Sequence, residues 1–205
     1  MSLSLRDSWQ EAWQAALALA VEGLQRAEVR EQCARSGARW GDGVVELAFL
    51  NRVYRVRPPD FAVSLATGGT EVPLTEKILI LHYLQTASGA PLRGEWISFA
   101  QVPGGEFYLP NFRARSVDRL VRTFADRETA LFGAAAALGG SAAGFGDVSV
   151  QLPVLPRVPV ALVLWRGDEE FAPSGDLLFD AAVAEYLPVE DMVVLAGMTV
   201  GRLCE

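Results

Sequence analysis

The chain has 205 residues, 51% of them apolar, which suffices for one sizeable core, so a single domain over residues 1–205 is expected. Its net charge of −7 is unevenly placed: residues 1–146 carry 15 basic and 15 acidic groups, and residues 147–205 carry 3 and 10. An acidic chain with one lysine has no broad positive field for a phosphate backbone, which argues against nucleic-acid binding. No apolar stretch reaches the roughly 20 residues that cross a bilayer, and the N-terminus lacks the basic start and apolar segment of a signal peptide. The expectation is therefore a soluble, cytoplasmic protein without a membrane span.

Asp7 to about Ala34 reads as one long or two short helices, with Trp9, Trp13, Ala16, Leu17, Ala20 and Leu24 at helical spacing and Gly37 as the stop. An α+β body over about 44–203 follows this helical segment of about 7–35. Val45, Leu47 and Phe49 alternate as a strand should, Asn51-Arg52 offers a tight turn, and Val53 to Val56 completes a hairpin that Pro58-Pro59 ends. A third strand is expected at Phe61 to Leu65, and then an apolar helix from Pro73 or Thr75 to about Thr86. That helix is apolar nearly all round, so His82 and Tyr83 read as core or boundary side chains.

Gly94 to Val102 reads as extended, and Pro103-Gly104-Gly105 leads through Phe107, Tyr108 and Phe112 to a helix predicted to start near Ser116 and end at Gly139-Gly140. Val148, Val150 and Leu152 alternate as a strand. Three prolines at 153, 156 and 159 shape the connection to a central strand at Val160 to Trp165, giving a second hairpin. A short helix or turn is expected over Leu177 to Ala184, and a final apolar helix over Pro188 to Leu203. The fold class is α+β, with antiparallel hairpins in one or two sheets covered by apolar helices. A weak internal echo aligns residues 45–80 with 160–195 at an offset of 115, matching Val45, Leu47, Pro58, Ala66 and Pro73 to Val160, Leu162, Pro173, Ala181 and Pro188.

The chemistry-bearing residues are few. Cys33 and Cys204 lie at opposite ends of the chain without a companion histidine, so neither a metal site, an iron–sulfur centre nor any other cofactor is expected. No Gly-x-Ser-x-Gly elbow is present. The densest constellation is Asp168, Glu169 and Glu170, followed by Asp176 and Asp180. Crowded carboxylates suit a hard cation or an acid–base pair, whereas a polar turn with one carboxylate on backbone amides is the plainer reading. Gly104 and Gly105 admit close backbone approach to an anion, with Tyr108 as a hydrogen-bonding wall; a turn that redirects the chain explains them equally.

Arginines at 113, 115, 119, 122 and 127 form a basic cluster, tempered by Asp118 and Asp126. Arg115 and Arg119 near a helix start oppose the positive end of its dipole, so compensation by C-terminal carboxylates is predicted, with an external phosphate as the alternative.

Three segments carry a resemblance: Ile78 to Leu84; Trp96-Ile97-Ser98-Phe99 with Pro103 to Tyr108; and Trp165 to Phe171 with Leu178-Phe179-Asp180. Together they resemble the bacterial domain-of-unknown-function family 3786 over roughly residues 27–203. Relatives with a cysteine-rich iron–sulfur segment ahead of this domain would imply company with redox or cofactor metabolism, and this sequence shows no such segment. The resemblance supplies no chemistry. Two functions stay open: a non-catalytic binding or accessory module that meets a protein or small molecule, using Gly104, Gly105, Tyr108, Asp168, Glu169 and Glu170, or an enzyme using carboxylates around Asp168 to Glu170 with Tyr108 or His82.

Overall fold

A computed structural model describes the backbone of residues 5–205 and the side chains of residues 10–205. Trp9 of the expected helical stripe lies outside the described side chains. The chain divides into two compact units, one comprising residues up to Leu47 with Arg52–Gly89 and the other Ala48–Asn51 with Ala90–Glu205.

In the first unit the N-terminal segment forms two helices, α1 (Leu5–Gln25) and α2 (Val29–Ser36). Glu28 caps α2 by accepting the N–H of Glu31 at 2.8 Å, and Gly37 ends it at a φ of +74° that glycine adopts without strain. A short strand β1 (Arg39–Gly41) follows, which the sequence reading left out. Asp42 and Gly43, both at positive φ, turn it into β2 (Val44–Phe49). β3 (Arg52–Arg57) and β4 (Ala62–Leu65) complete a sheet of order β1-β2-β3-β4. The β2–β3 turn residues are Leu50 and Asn51, one position before the pair expected. Helix α3 (Leu74–Thr86) buries Ile78, Leu79, Ile80, Leu81, Tyr83 and Leu84, as its all-round apolar sequence requires. Tyr83 satisfies its buried hydroxyl by donating to the carbonyl of Ser36 at 2.6 Å, which ties α3 to the end of α2.

The second unit begins with β5 (Trp96–Ser98) and a 3₁₀ turn over Phe99–Gln101. A helical stretch then runs from Gly105, eleven residues ahead of the expected start. It comprises α4 (Gly105–Phe112), a π-helical segment (Arg113–Val117) and α5 (Asp118–Phe124). A proline inside a helix lacks the N–H of the i to i−4 ladder and crowds the preceding turn. Pro110 sits inside α4, and the wider π turn that follows carries the chain on into α5. Helix α6 (Glu128–Ala137) is separate from α5, where one helix was expected across both.

After β6 (Ser141–Ala142) come β7 (Val148–Leu155) and β8 (Val158–Trp165), the predicted second hairpin, antiparallel with Val150 opposite Leu162. The third strand corrects the sequence reading: residues expected as a helix or turn form β9 (Ser174–Asp180). Leu177 and Phe179 point inward at period two, and β9 pairs antiparallel with β8 on one side and β5 on the other. The sheet order is β5-β9-β8-β7-β6. Helix α7 (Val189–Leu203) buries Met192, Val193, Leu195, Ala196, Val200 and Leu203 and packs against α4, the π turn and α6.

Two antiparallel sheets with apolar helices make this an α+β fold. The echo is visible in the element boundaries, since Pro73 and Pro188 both precede the first residue of a helix, α3 or α7. It breaks at β3, whose counterparts at 167–172 belong to a loop. Among the described residues no helix is long and apolar enough to cross a membrane.

Candidate functional site

Gly104 and Gly105 stand at the start of α4. Gly104 takes φ +78°, and Gly105 donates its N–H to Val102 at 2.8 Å. A Cβ on Gly105 would lie 2.1 Å from the Phe99 carbonyl oxygen, so only glycine allows α4 to begin against the 3₁₀ turn. That contact lets Phe99 stack on Phe112 with ring centroids 4.1 Å apart, and Phe112 in turn leans on Phe179 of β9. Phe107, by contrast, projects outward and is 80% exposed. Tyr108 reaches α7, donating its hydroxyl to the Glu190 carboxylate at 2.6 Å. The carboxylate holds the phenol proton and raises the Tyr108 pKa, the opposite of what a general base needs.

Asp168, Glu169 and Glu170 lie in the β8–β9 loop, whose residues 166–173 are all exposed. Arg166 fixes its entry with a two-pronged ion pair, Nε and Nη2 donating to Glu128 of α6 at 2.6 and 2.9 Å, while its backbone N–H donates to Asp147. Gly167 is required by close approach, since a Cβ there would fall 2.7 Å from Pro173. Asp168 then folds the loop on itself. Its Oδ1 accepts the N–H groups of Glu170 and Phe171 at 2.8 and 2.7 Å, and its own N–H donates to the Phe171 carbonyl at 2.9 Å. Those two bonds hold the Asp168 carboxyl below the usual aspartate pKa. Phe171 is left 69% exposed at the end of this turn.

The expected residues thus form two groups, with Tyr108 paired to Glu190 and Asp168 engaged with its own loop. No hydrogen bond or ion pair joins the groups among the described residues. His82 lies half-buried on α3 of the first unit. Asp176 on β9 has its pKa raised by burial, opposed by the Leu177 N–H and the charge of Arg113. Asp180 is buried: Oδ1 accepts the N–H groups of Arg93 and Ala182, and Oδ2 that of Gly94, at 2.8 to 3.0 Å. Among the described residues no group of three or more His, Cys, Asp or Glu is placed to hold a metal ion.

The arginine expectation is corrected. Arg115, Arg119 and Arg122 form no ion pair among the described residues. Arg119 instead lies along the end of α7, its Nη1 3.4 Å from where a Cβ on Gly201 would be, so the negative end of that helix dipole faces it. Within the cluster, Arg113 is the one whose charge acts on a C-terminal carboxylate among the described residues, that of Asp176.

Sequence reasoning missed Glu190 as the partner of Tyr108 and Glu128 as the partner of Arg166, and it named Phe107 and Phe171 without assigning either an outward position. Glu190 and Glu128 each sit in the first turn of a helix, a position that favours acids and marks both in sequence.

An α+β body of this organisation, without a metal cluster or nucleophile elbow among its described residues, defines a class by architecture alone. The model of a family described as Domain of unknown function (DUF3786) matches residues 28–202, and the chain belongs to that family. No curated protein and no solved structure matches it.

Proposed function

We propose that the chain is a non-catalytic, cytoplasmic binding or accessory module that receives a protein partner on its β8–β9 loop. The observation that supports this is Phe171, a large apolar side chain 69% exposed on a turn stiffened by Asp168 and rooted by the Arg166–Glu128 pair. An exposed aromatic on a fixed support offers much contact area with little ordering cost on binding, and the carboxylates of Glu169 and Glu170 give it a polar rim. Phe107, beside the Tyr108–Glu190 bond, is a second aromatic of the same kind.

The test is quantitative co-purification from the native cell, comparing the wild-type protein with Phe171→Ser and with a surface control, Val53→Ser. The expected result is one species enriched near stoichiometry with wild type and control and lost with Phe171→Ser. Identical recovered sets from all three would end the proposal.

A further inference from the structure

We infer that the exposed arginine row of α5 and the preceding π turn is a second docking surface, and that its occupant is a short acidic segment of a partner protein. Arg115, Arg119 and Arg122 are exposed, and none of them has a carboxylate within ion-pair distance among the described residues, although the chain carries 25 acidic groups. Nearby acids do not neutralise them: Asp118 and Asp126 are exposed and form no ion pair with the row. The charge left open is therefore local and positive on an otherwise acidic molecule.

Spacing selects the occupant. At a rise of 1.5 Å per residue, positions 115, 119 and 122 span about 10 Å, with successive arginines about 6 and about 4.5 Å apart along the axis. Alternate side chains of an extended peptide repeat every 6.6 Å or so, and carboxylates one turn apart on a helix about as closely, so an acidic segment of either form matches the row. A single phosphate reaches no more than part of it. A long nucleic acid would run past it onto the acidic surface, where repulsion extends over a Debye length of about 8 Å. The π turn contributes Arg115 to the row, while Arg113 of the same turn acts on Asp176.

The test titrates the intact protein with a short labelled peptide alternating glutamate and serine. Inorganic phosphate and a single-stranded oligonucleotide of equal charge serve as competitors. The expected result is binding that weakens steeply with added salt, an Arg115→Glu/Arg119→Glu variant weaker on the order of tenfold or more, and binding of a lysine–serine peptide by that variant instead. Amide shifts in the wild-type protein provide a readout that does not depend on the variant's folding, and peptide-induced changes should centre on residues 113–124. No peptide binding at low salt, shifts centred elsewhere, or tighter binding of the oligonucleotide than of the peptide would each overturn the inference. None of these outcomes depends on Phe171 or its loop.

Discussion

Asp180 shows how a residue that looks chemical can be structural. In sequence it is one acid among five between Asp168 and Asp180; in the fold it is 3% exposed and accepts three backbone N–H groups, pinning residues 93 and 94 to the end of β9. Removing the carboxylate breaks three charge-assisted bonds and leaves the buried Ala182 N–H without its acceptor, and the expected cost of Asp180→Ala is about 3 kcal/mol. For a chain of this size that lowers Tm by roughly 6 to 12 °C, while Asp180→Asn, which keeps one acceptor, loses less. Thermal unfolding followed by circular dichroism decides it, and an unchanged Tm would mean that the freed amides find other partners. The sequence marked this aspartate through the acidic run that starts at Asp168 and through its place in the Leu178-Phe179-Asp180 segment. Its burial depends on residues almost ninety positions earlier, which no local pattern encodes. Gly105 was read as admitting close approach to an anion or as a plain turn, whereas what it closely approaches is the Phe99 carbonyl.

At the scale of the element, the β8–β9 loop has its form from one carboxylate. The folded-state pKa of Asp168 lies below its ordinary value of 3.8 because Phe171 and Glu170 donate to the ionised form. With the folded pKa depressed, the turn is fully favoured above pH 3.8 and loses this support as pH falls through the lower, folded value. The expected outcome is that the amides of Glu170 and Phe171 are protected from hydrogen exchange near pH 5 and lose that protection in stronger acid. Asp168→Ala should lack it at either pH. Equal protection in the variant would place the order of the loop elsewhere.

Which elements were legible follows the same logic. Period-two alternation gave β2 and β7, and all-round apolarity gave α3 as a buried helix. β9 was misread because Leu177, Leu178 and Phe179 form an unbroken apolar triplet. Only pairing with β8 and β5 makes it a strand. β1 was missed even though Asp42-Gly43 is a strong hairpin signal, because the strand it turns has three residues. The start of α4 was placed too late because Pro103-Gly104-Gly105 read as a loop leading through Phe107, Tyr108 and Phe112 to a helix near Ser116, whereas Gly105 already opens the helix.

For the whole molecule, the division into units is not a division of the chain. Residues 48–51 belong with 90–205, and there Leu50, 3% exposed, donates its N–H to Val154 at 3.0 Å while Asn51 donates its side-chain N–H to Ala137 at 2.9 Å. A fragment of residues 90–205 would lack both. It is expected to unfold at lower denaturant concentration than the intact chain and to recover part of the difference when a peptide covering residues 44–57 is added. Equal midpoints by tryptophan fluorescence would show that the inserted turn adds nothing to stability.

That inserted turn also sets an order of events during synthesis. Leu50 leaves the ribosome about a hundred residues before Val154, a wait of roughly 5 to 20 seconds at ordinary elongation rates. Throughout it, Leu50 and Asn51 wait for groups that have not yet been made, Val154 and Ala137. The nascent chain therefore passes through a stage in which a buried leucine is still uncovered, and a chaperone that recognises short apolar segments would find it there and nowhere in the finished protein.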